Sequence, residues 1–339
     1  ATRVPEAGLE TVYLGGGTPS LLAPALLEEV LQAVRARLGI SAAAEITLEA
    51  NPSDLTSTRA REWALLGINR LSLGVQSLDD PTLAWLGRNH DAECAERAIE
   101  TALVAGLDNL SCDLIYAIPG QSTQTFAGGL ERLLSWDLPH LSCYELTVEP
   151  GTSLARRVAL GEAARPSEVD FSAQYRLAGE RLERAGLCQY EVSNYARPGW
   201  ESRHNLGYWQ GRPYLAVGCG AHGYLDPNAA RRLGLALEGG SVGVRYWNLR
   251  GASAYVRQVG ALGHGRRGHE GISPQQAALE RLCCGLRMRG GVELEREGQL
   301  AVAERLAGLG LLTIQGQRVA ATGRGVEVLD RITLELSAA

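Results

Sequence analysis

The first 150 residues alternate short apolar segments with amphipathic helical segments, and this alternation constrains the fold more than any other feature. Five strand–helix pairs follow one another, with strands predicted at 11–14, 45–49, 70–74, 110–118 and 140–148. Each apolar segment is nearly continuous, which is typical of strands in a parallel sheet that is covered by helices. The pattern predicts an α/β fold, with fewer pairs than the eight of a complete barrel. The chain also begins with a strand, as though one strand–helix pair were missing upstream.

Composition limits the classes of function that need to be considered. The 339 residues are 45% hydrophobic and 21% charged, as expected for a globular chain of about two domains. A net charge of −5 and the absence of basic runs argue against nucleic-acid binding. No apolar run reaches the roughly 18–20 residues of a membrane span, and no signal peptide is visible. Seven scattered cysteines indicate reduced thiols, so we expect a cytoplasmic protein.

A glycine stretch follows the first predicted strand, in the sequence VYLGGGTPS from Val12 to Ser20. Three glycines without side chains allow a ligand to lie directly against backbone N–H and C=O groups. The same residues could also form nothing more than a tight turn between a strand and a helix. Three glycines alone do not decide between these two interpretations.

Polar residues stand where the predicted strands end, and they favour the ligand-binding interpretation. Thr18, Glu49, Gln76 and Asp113 are assigned to the carboxyl ends of successive strands, and Arg88 ends a helix nearby. Since the carboxyl ends of parallel strands meet at one edge of a sheet, we expect these side chains in one pocket. Two carboxylates, an amide and an arginine suit a zwitterionic ligand that carries a ribose. The alternative is that each residue is an isolated cap or surface residue.

After residue 150 the pattern changes. A helix is predicted at 167–185, followed by a strand and turn at 188–199 and then a segment rich in glycine, aromatic residues and histidine. Residues 225–250 are predicted to be irregular or edge-strand structure, and the segment GHGRRGHEG, with His264 and His269, is predicted to be a loop. From 271 onward, two helices, a hairpin and a last helix resemble a small winged-helix module.

Several segments together carry a resemblance to a known family. LGGGTPS, EANP, GINRLSLGVQS, LGRNH, DLIYAIPGQ and YELTVEPGT resemble the radical S-adenosylmethionine (SAM) proteins of the oxygen-independent coproporphyrinogen oxidase family. The resemblance implies a partial (β/α)6 barrel of the radical SAM type, with its first strand absent here, and a C-terminal winged-helix-like domain. It implies a core at 1–150, barrel completion at 151–262 and a C-terminal domain at 263–339. The positions that match SAM-binding residues are Gly16, Gly17, Thr18, Glu49, Gln76, Arg88 and Asp113.

The sequence departs from this family at the iron–sulfur motif. The family's C-x-x-x-C-x-x-C motif precedes the glycine stretch, whereas no cysteine stands there in this chain. A [4Fe–4S] cluster is expected for the family and needs cysteine thiolates as ligands. We therefore expect a truncated chain that holds no cluster and performs no radical chemistry, and whether it still holds SAM is left open.

The segment HNLGYW, from His204 to Trp209, resembles a motif of the heme chaperone branch of this family. His204 is the candidate axial ligand to heme iron, because imidazole is a common heme ligand. Tyr208 and Trp209 would offer a flat apolar wall to the porphyrin. The alternative is that His204 and Asn205 form a hydrogen-bonded pair that fixes a loop, and His222 is a second candidate ligand.

Three functions follow from these observations. The leading hypothesis is a heme chaperone that binds heme and delivers it to heme-accepting proteins, with a homodimer considered as its assembly. The main alternative is an enzyme, an oxygen-independent coproporphyrinogen III oxidase of porphyrin biosynthesis. The third is a truncated, non-catalytic scaffold. No catalytic residue is assigned.

Overall fold

The computed structural model describes residues 8–237 and 239–339. They form two compact units, and the boundary between them falls after His204, inside a short helix. The first unit ends at His204 and the second begins at Asn205. The division into 1–150, 151–262 and 263–339 uses other boundaries and stays a prediction.

The first unit contains the predicted alternation of strands and helices. Its strands are β1 Leu9–Leu14, β2 Ile40–Ala50, β3 Arg70–Gln76, β4 Leu110–Tyr116, β5 His140–Glu145, β6 Cys188–Glu191 and β7 Asn194–Ala196. Its helices are α1 Pro24–Leu38, α2 Ser57–Leu65, α3 Asp80–Trp85, α4 Ala92–Val104, α5 Thr123–Leu134, α6 Ser153–Ala159 and α7 Glu168–Arg184. Helix α8, Arg203–Trp209, contains the boundary between the units.

The seven strands form one sheet in the order β1-β2-β3-β4-β5-β7-β6. Strands β1 to β5 are parallel, which confirms the predicted α/β fold. β7 then runs antiparallel to β5, and β6 pairs with β7. Only Val192 and Ser193 separate β6 from β7, and a connection this short can join only antiparallel strands. The place beside β5 is therefore filled by a hairpin and not by a sixth parallel strand.

The two faces of this sheet differ in polarity. In β3, Leu71 and Leu73 are fully buried, and they pair in register with Leu110 and Cys112 of β4. The alternate residues form the second face, here called the polar face. Its members include Thr11, Tyr13, Glu45, Thr47, Glu49, Arg70, Ser72, Ser111, Asp113, His140 and Ser142, which neighbour one another in the strand register. Because side chains alternate between faces along a strand, every second residue of the parallel strands belongs to this polar face.

The second unit contains two small sheets. Its strands are β8 His222–Leu225, β9 Gly243–Asn248, β10 Arg266–Ile272, β11 Val292–Glu293, β12 Leu312–Gln315 and β13 Arg318–Ala321. Its helices are α9 Pro227–Arg232, α10 Ala252–Leu262, α11 Pro274–Arg287, α12 Glu297–Gly308, α13 Gly323–Val326 and α14 Leu329–Ala338. The tail has the predicted order of two helices, a hairpin and a further helical segment, with β11 added to the hairpin. No helix among the described residues combines the length and apolar composition that a membrane span requires.

Two predictions for this unit were wrong. Part of 225–250 forms the regular elements α9 and β9, and the supposed loop GHGRRGHEG lies largely in β10. The reason is a pairing of glycines with aromatic rings across the antiparallel sheet β10-β9-β8. Gly223 faces Tyr246, and Gly268 faces Trp247, whose Cζ2 lies 2.7 Å from where a Cβ on Gly268 would be. The aromatic ring occupies the space left by the missing side chain, so these glycines belong to strands and not to loops.

Candidate ligand-binding site

The glycine stretch leaves β1 in a conformation that only certain residues can adopt. A Cβ on Gly15 would lie 2.6 Å from Tyr13 Cε1 and 2.9 Å from Glu49 Oε1, so a side chain there would collide with both. Gly16 has φ +104°, a backbone conformation that favours glycine. In contrast to Gly15, a Cβ on Gly16 or Gly17 would meet no atom within 4 Å. Gly15 is therefore required by packing, and Gly16 and Gly17 leave exposed backbone beside open space.

Glu49 holds this stretch in place with both of its carboxylate oxygens. Tyr13 donates its hydroxyl to Glu49 Oε1 at 2.7 Å, and the Gly16 N–H donates to Glu49 Oε2 at 3.0 Å. Burial and then the Glu49 carboxylate raise the pKa of the Tyr13 phenol above its ordinary range. Tyr13 therefore remains a protonated donor at neutral pH, and Glu49 is oriented from two sides.

Three non-glycine residues after the parallel strands have left-handed backbones. Thr18 follows β1 with φ +90°, Gln76 ends β3 with φ +66°, and Ala117 follows β4 with φ +59°. Such conformations are uncommon for residues with a Cβ and cluster at functional sites. Ala117 is held by Gln174, whose Oε1 accepts the Ala117 N–H at 2.8 Å. Of the described non-glycine residues with positive φ, all except Asp137 therefore lie at the edge where the ligand pocket is predicted.

Asp113 is a partly buried carboxylate on the polar face of β4, and it lies in the middle of that strand rather than at its end as predicted. Its oxygens accept a hydrogen bond from Ser72 Oγ at 3.3 Å. Burial raises the pKa of Asp113 to about 6; the hydrogen bond from Ser142 opposes this, and the negative charge of Glu49 adds to it. The two predicted carboxylates are therefore close enough to repel each other.

Arg88 supplies a positive charge to the same neighbourhood. It lies in the exposed turn after α3, and its N–H is fixed by the Leu83 carbonyl at 3.0 Å. Desolvation lowers the pKa of Arg88, and the Asp113 carboxylate acts in the opposite direction. The structure thus brings Glu49, Asp113 and Arg88 into one electrostatic environment beside the glycine stretch.

His204, the second residue of α8, contacts the opposite end of the polar face. Its ring stacks on Tyr13 with centroids 4.9 Å apart and planes 20° apart, and its Nδ1 lies 2.8 Å from Thr11 Oγ1. Its backbone N–H donates to Glu45 Oε1 at 2.9 Å. Burial lowers the pKa of His204, with Glu45 opposing, so the imidazole is neutral at physiological pH. A neutral imidazole is the form that ligates a metal.

Tyr208 and Trp209 lie in the second unit and have aromatic or cationic neighbours there. Tyr208 meets Tyr214 edge to face at 4.5 Å, and the guanidinium of Arg287 lies 5.0 Å from the Trp209 ring centroid. His222 is exposed in β8, with its ring 6.4 Å from that of Trp247. A heme-facing role for Tyr208 and Trp209 stays a prediction.

Sequence reasoning missed the residues that connect these groups. The sequence analysis did not identify Thr11, Tyr13 and Glu45 as part of the site. They lie on the same face of β1 and β2 as Glu49, which it did identify. Arg70 is also buried on the polar face, where it donates to Asn109 Oδ1 at 2.6 Å. The signal that identifies them is the period of two within each strand, which places them beside Glu49 and Asp113.

Comparison with known proteins agrees with this architecture. The model of the Radical SAM superfamily matches residues 1–133. The heme chaperone HemW of Mycobacterium tuberculosis is 35% identical over 338 residues, covering 99% of this chain and 83% of that protein. The mitochondrial radical S-adenosyl methionine domain-containing protein 1 of Mus musculus is 36% identical over 342 residues. The match covers 97% of this chain and 75% of that protein. The structure of coproporphyrinogen III oxidase (HemN) from Escherichia coli has a TM-score of 0.78 at 19% identity, covering 97% of this chain and 78% of that one, and shows a shared fold.

The fold and these matches define an α/β protein of the radical SAM class. More narrowly, the chain belongs to the HemW-like family within that class. The class implies SAM and a [4Fe–4S] cluster as cofactors.

The residues that the structure describes do not fit a cluster. Within 8–237 and 239–339, no group of three or more His, Cys, Asp or Glu side chains is arranged to hold a metal ion. All seven cysteines are free thiols, and burial raises the pKa of Cys112 and Cys143. A cluster needs thiolates converging on one point, which these cysteines do not provide.

Proposed function

We propose that this protein is a heme chaperone that binds heme and delivers it to heme-accepting proteins. The observation that carries the proposal is the similarity to HemW over nearly the whole chain, together with the segment HNLGYW. His204 is the proposed iron ligand, with Tyr208 and Trp209 proposed to face the porphyrin. The proposed compartment is the cytoplasm, and the proposed assembly is a homodimer.

We further propose that the strand-end residues, together with Asp113 and Arg88, bind SAM. Arg88 would pair with the ligand carboxylate, and Thr18 and Glu49 with its ammonium group. Gln76 and Asp113 would accept hydrogen bonds from the ribose hydroxyls, while Gly16 and Gly17 would contact the ligand through their backbone. The support is the oriented carboxylate of Glu49 and the proximity of Asp113 to Arg88.

Heme titration tests the chaperone proposal. The wild-type chain is expected to develop a Soret band at one heme per chain, and His204→Ala is expected to lose it because the axial ligand is removed. His269→Ala is the matched control, since His269 is an exposed histidine in β10. A wild-type Soret band and stoichiometry in His204→Ala would exclude His204 as the ligand. Absence of heme binding by the wild-type chain would contradict the chaperone proposal itself.

Calorimetric titration with S-adenosylhomocysteine tests the SAM site. This ligand keeps the amino-acid and ribose groups that Arg88, Gln76 and Asp113 are proposed to contact. Arg88→Ala is expected to weaken binding by about 1.5–3 kcal/mol, the range for a hydrogen bond to a charged group. Arg97→Ala is the control, because the Arg97 side chain is exposed on α4, where it pairs with Glu93. Equal affinity of Arg88→Ala and the wild type would remove Arg88 from the site.

A further inference from the structure

A continuous series of contacts joins His204 to the glycine stretch. The imidazole stacks on the Tyr13 ring, and the Tyr13 hydroxyl donates to Glu49. The other oxygen of Glu49 accepts the Gly16 N–H. Glu45, whose carboxylate accepts the His204 N–H, lies four residues before Glu49, about 13 Å away along β2.

The His204 end of this series is held firmly. The buried carboxylate of Glu45 accepts the backbone N–H groups of Arg203 at 3.0 Å and His204 at 2.9 Å. Thr11 fixes the imidazole through Nδ1 at 2.8 Å. The ring therefore presents a fixed surface against which Tyr13 packs.

The Glu49 end depends on close packing beside Gly15. Tyr13 and Glu49 occupy the space that a side chain on Gly15 would need, with Tyr13 Cε1 2.6 Å and Glu49 Oε1 2.9 Å from where its Cβ would be. Loss of the ring beneath Tyr13 would let the phenol tilt away and release one oxygen of Glu49. Glu49 would then orient the Gly16 backbone less well.

We infer that His204 is a positioning residue for the nucleoside pocket and acts on it through Tyr13. This inference rests on the proposed function for the class of ligand, an adenosyl amino acid. It adds a role for His204 that needs no heme. If His204 also ligates heme, the same contacts link the two sites, and the linkage is reciprocal: each ligand changes the affinity for the other by the same factor.

Two substitutions of one residue separate the positioning role from heme ligation. His204→Phe keeps an aromatic ring against Tyr13 but cannot ligate iron. His204→Ala removes both the stacked ring and the iron ligand. Without heme, His204→Ala is expected to bind S-adenosylhomocysteine about two- to tenfold more weakly, the effect of losing about one hydrogen bond. His204→Phe is expected to stay within about twofold of the wild type, while His269→Ala is unchanged. The urea midpoint of His204→Ala, measured beside that of His269→Ala, separates this weakening from a general loss of stability.

Tyr13→Phe provides a second measurement if His204→Ala folds poorly. It keeps the stacked ring and removes the donor to Glu49, so S-adenosylhomocysteine should bind more weakly while the heme Soret band is unchanged. Wild-type affinity in both His204→Ala and Tyr13→Phe would overturn the inference. So would failure of the wild-type chain to bind S-adenosylhomocysteine. If the wild-type chain binds no heme but the affinities follow the expected order, the chaperone proposal fails and the inference stands.

Discussion

Glu45→Ala is expected to lower the free energy of unfolding by about 3 kcal/mol. Glu45 is 6% exposed, and its two oxygens accept the backbone N–H groups of Arg203 and His204 at the start of α8. Removing the carboxylate leaves those two donors without their charged acceptor, and each such bond contributes about 1.5–3 kcal/mol. Water can reach the vacated site only in part, so the expected loss lies near the lower end of the sum.

Urea unfolding followed by circular dichroism measures this loss. Glu45→Gln keeps one carbonyl acceptor and is expected to lose about half as much. Asp108→Ala is the matched control, because Asp108 is an exposed carboxylate at the same edge of the sheet and should change stability by less than about 0.5 kcal/mol. A Glu45→Ala midpoint equal to that of Asp108→Ala would show that Glu45 does not hold the start of α8.

Asp113→Asn is expected to stabilise the unliganded protein at pH 8 while weakening its affinity for the nucleoside ligand. In the folded protein the pKa of Asp113 is raised to about 6 from the ordinary value of 3.8, chiefly by burial. Between these two values the folded state binds more protons than the unfolded state, so this group makes stability fall as pH rises from about 4 to about 6. Above about pH 6 Asp113 is ionised in the folded protein, and the full free-energy cost of burying its charge is present. Asparagine carries no charge and has no such cost.

The expected gain at pH 8 is about 2 kcal/mol. A pKa difference of about two units corresponds to about 3 kcal/mol, and the partial exposure of Asp113 reduces that figure. Urea midpoints between about pH 4 and pH 8 give the measurement, and the difference between wild type and Asp113→Asn isolates this group from other carboxylates. That difference should grow from about pH 4 to pH 6 and then remain constant. A difference independent of pH would contradict a raised pKa at Asp113.

The strand–helix alternation of the first unit could be predicted because it is local. Apolar segments such as 110–118, and caps such as Asp91, carry their meaning within a few residues. The period of two within the strands was also present in the sequence. In β3 the order Arg-Leu-Ser-Leu-Gly-Val-Gln alternates strictly, and it separates a buried apolar face from the polar one. Treating the strands as continuous apolar runs hid this second face.

The contacts that organise the candidate site could not be predicted in the same way. Tyr13 and His204 are far apart in the chain, and nothing near either residue indicates that their rings stack. Glu45 likewise meets α8 only because β2 and α8 are brought together by folding. A residue type and its position in a strand predict which face it occupies, but the partner across a long sequence separation depends on the tertiary structure.

The glycine–aromatic pairs of the second unit also restrict how its sequence can diverge. At Gly223 and Gly268 an added methyl group would meet the ring of Tyr246 or Trp247, so neither glycine can change alone. Replacing the ring alone would leave a gap over bare backbone. A glycine and the aromatic residue that faces it are therefore expected to vary together. In relatives that keep the same sheet, the two positions should either both be retained or both change.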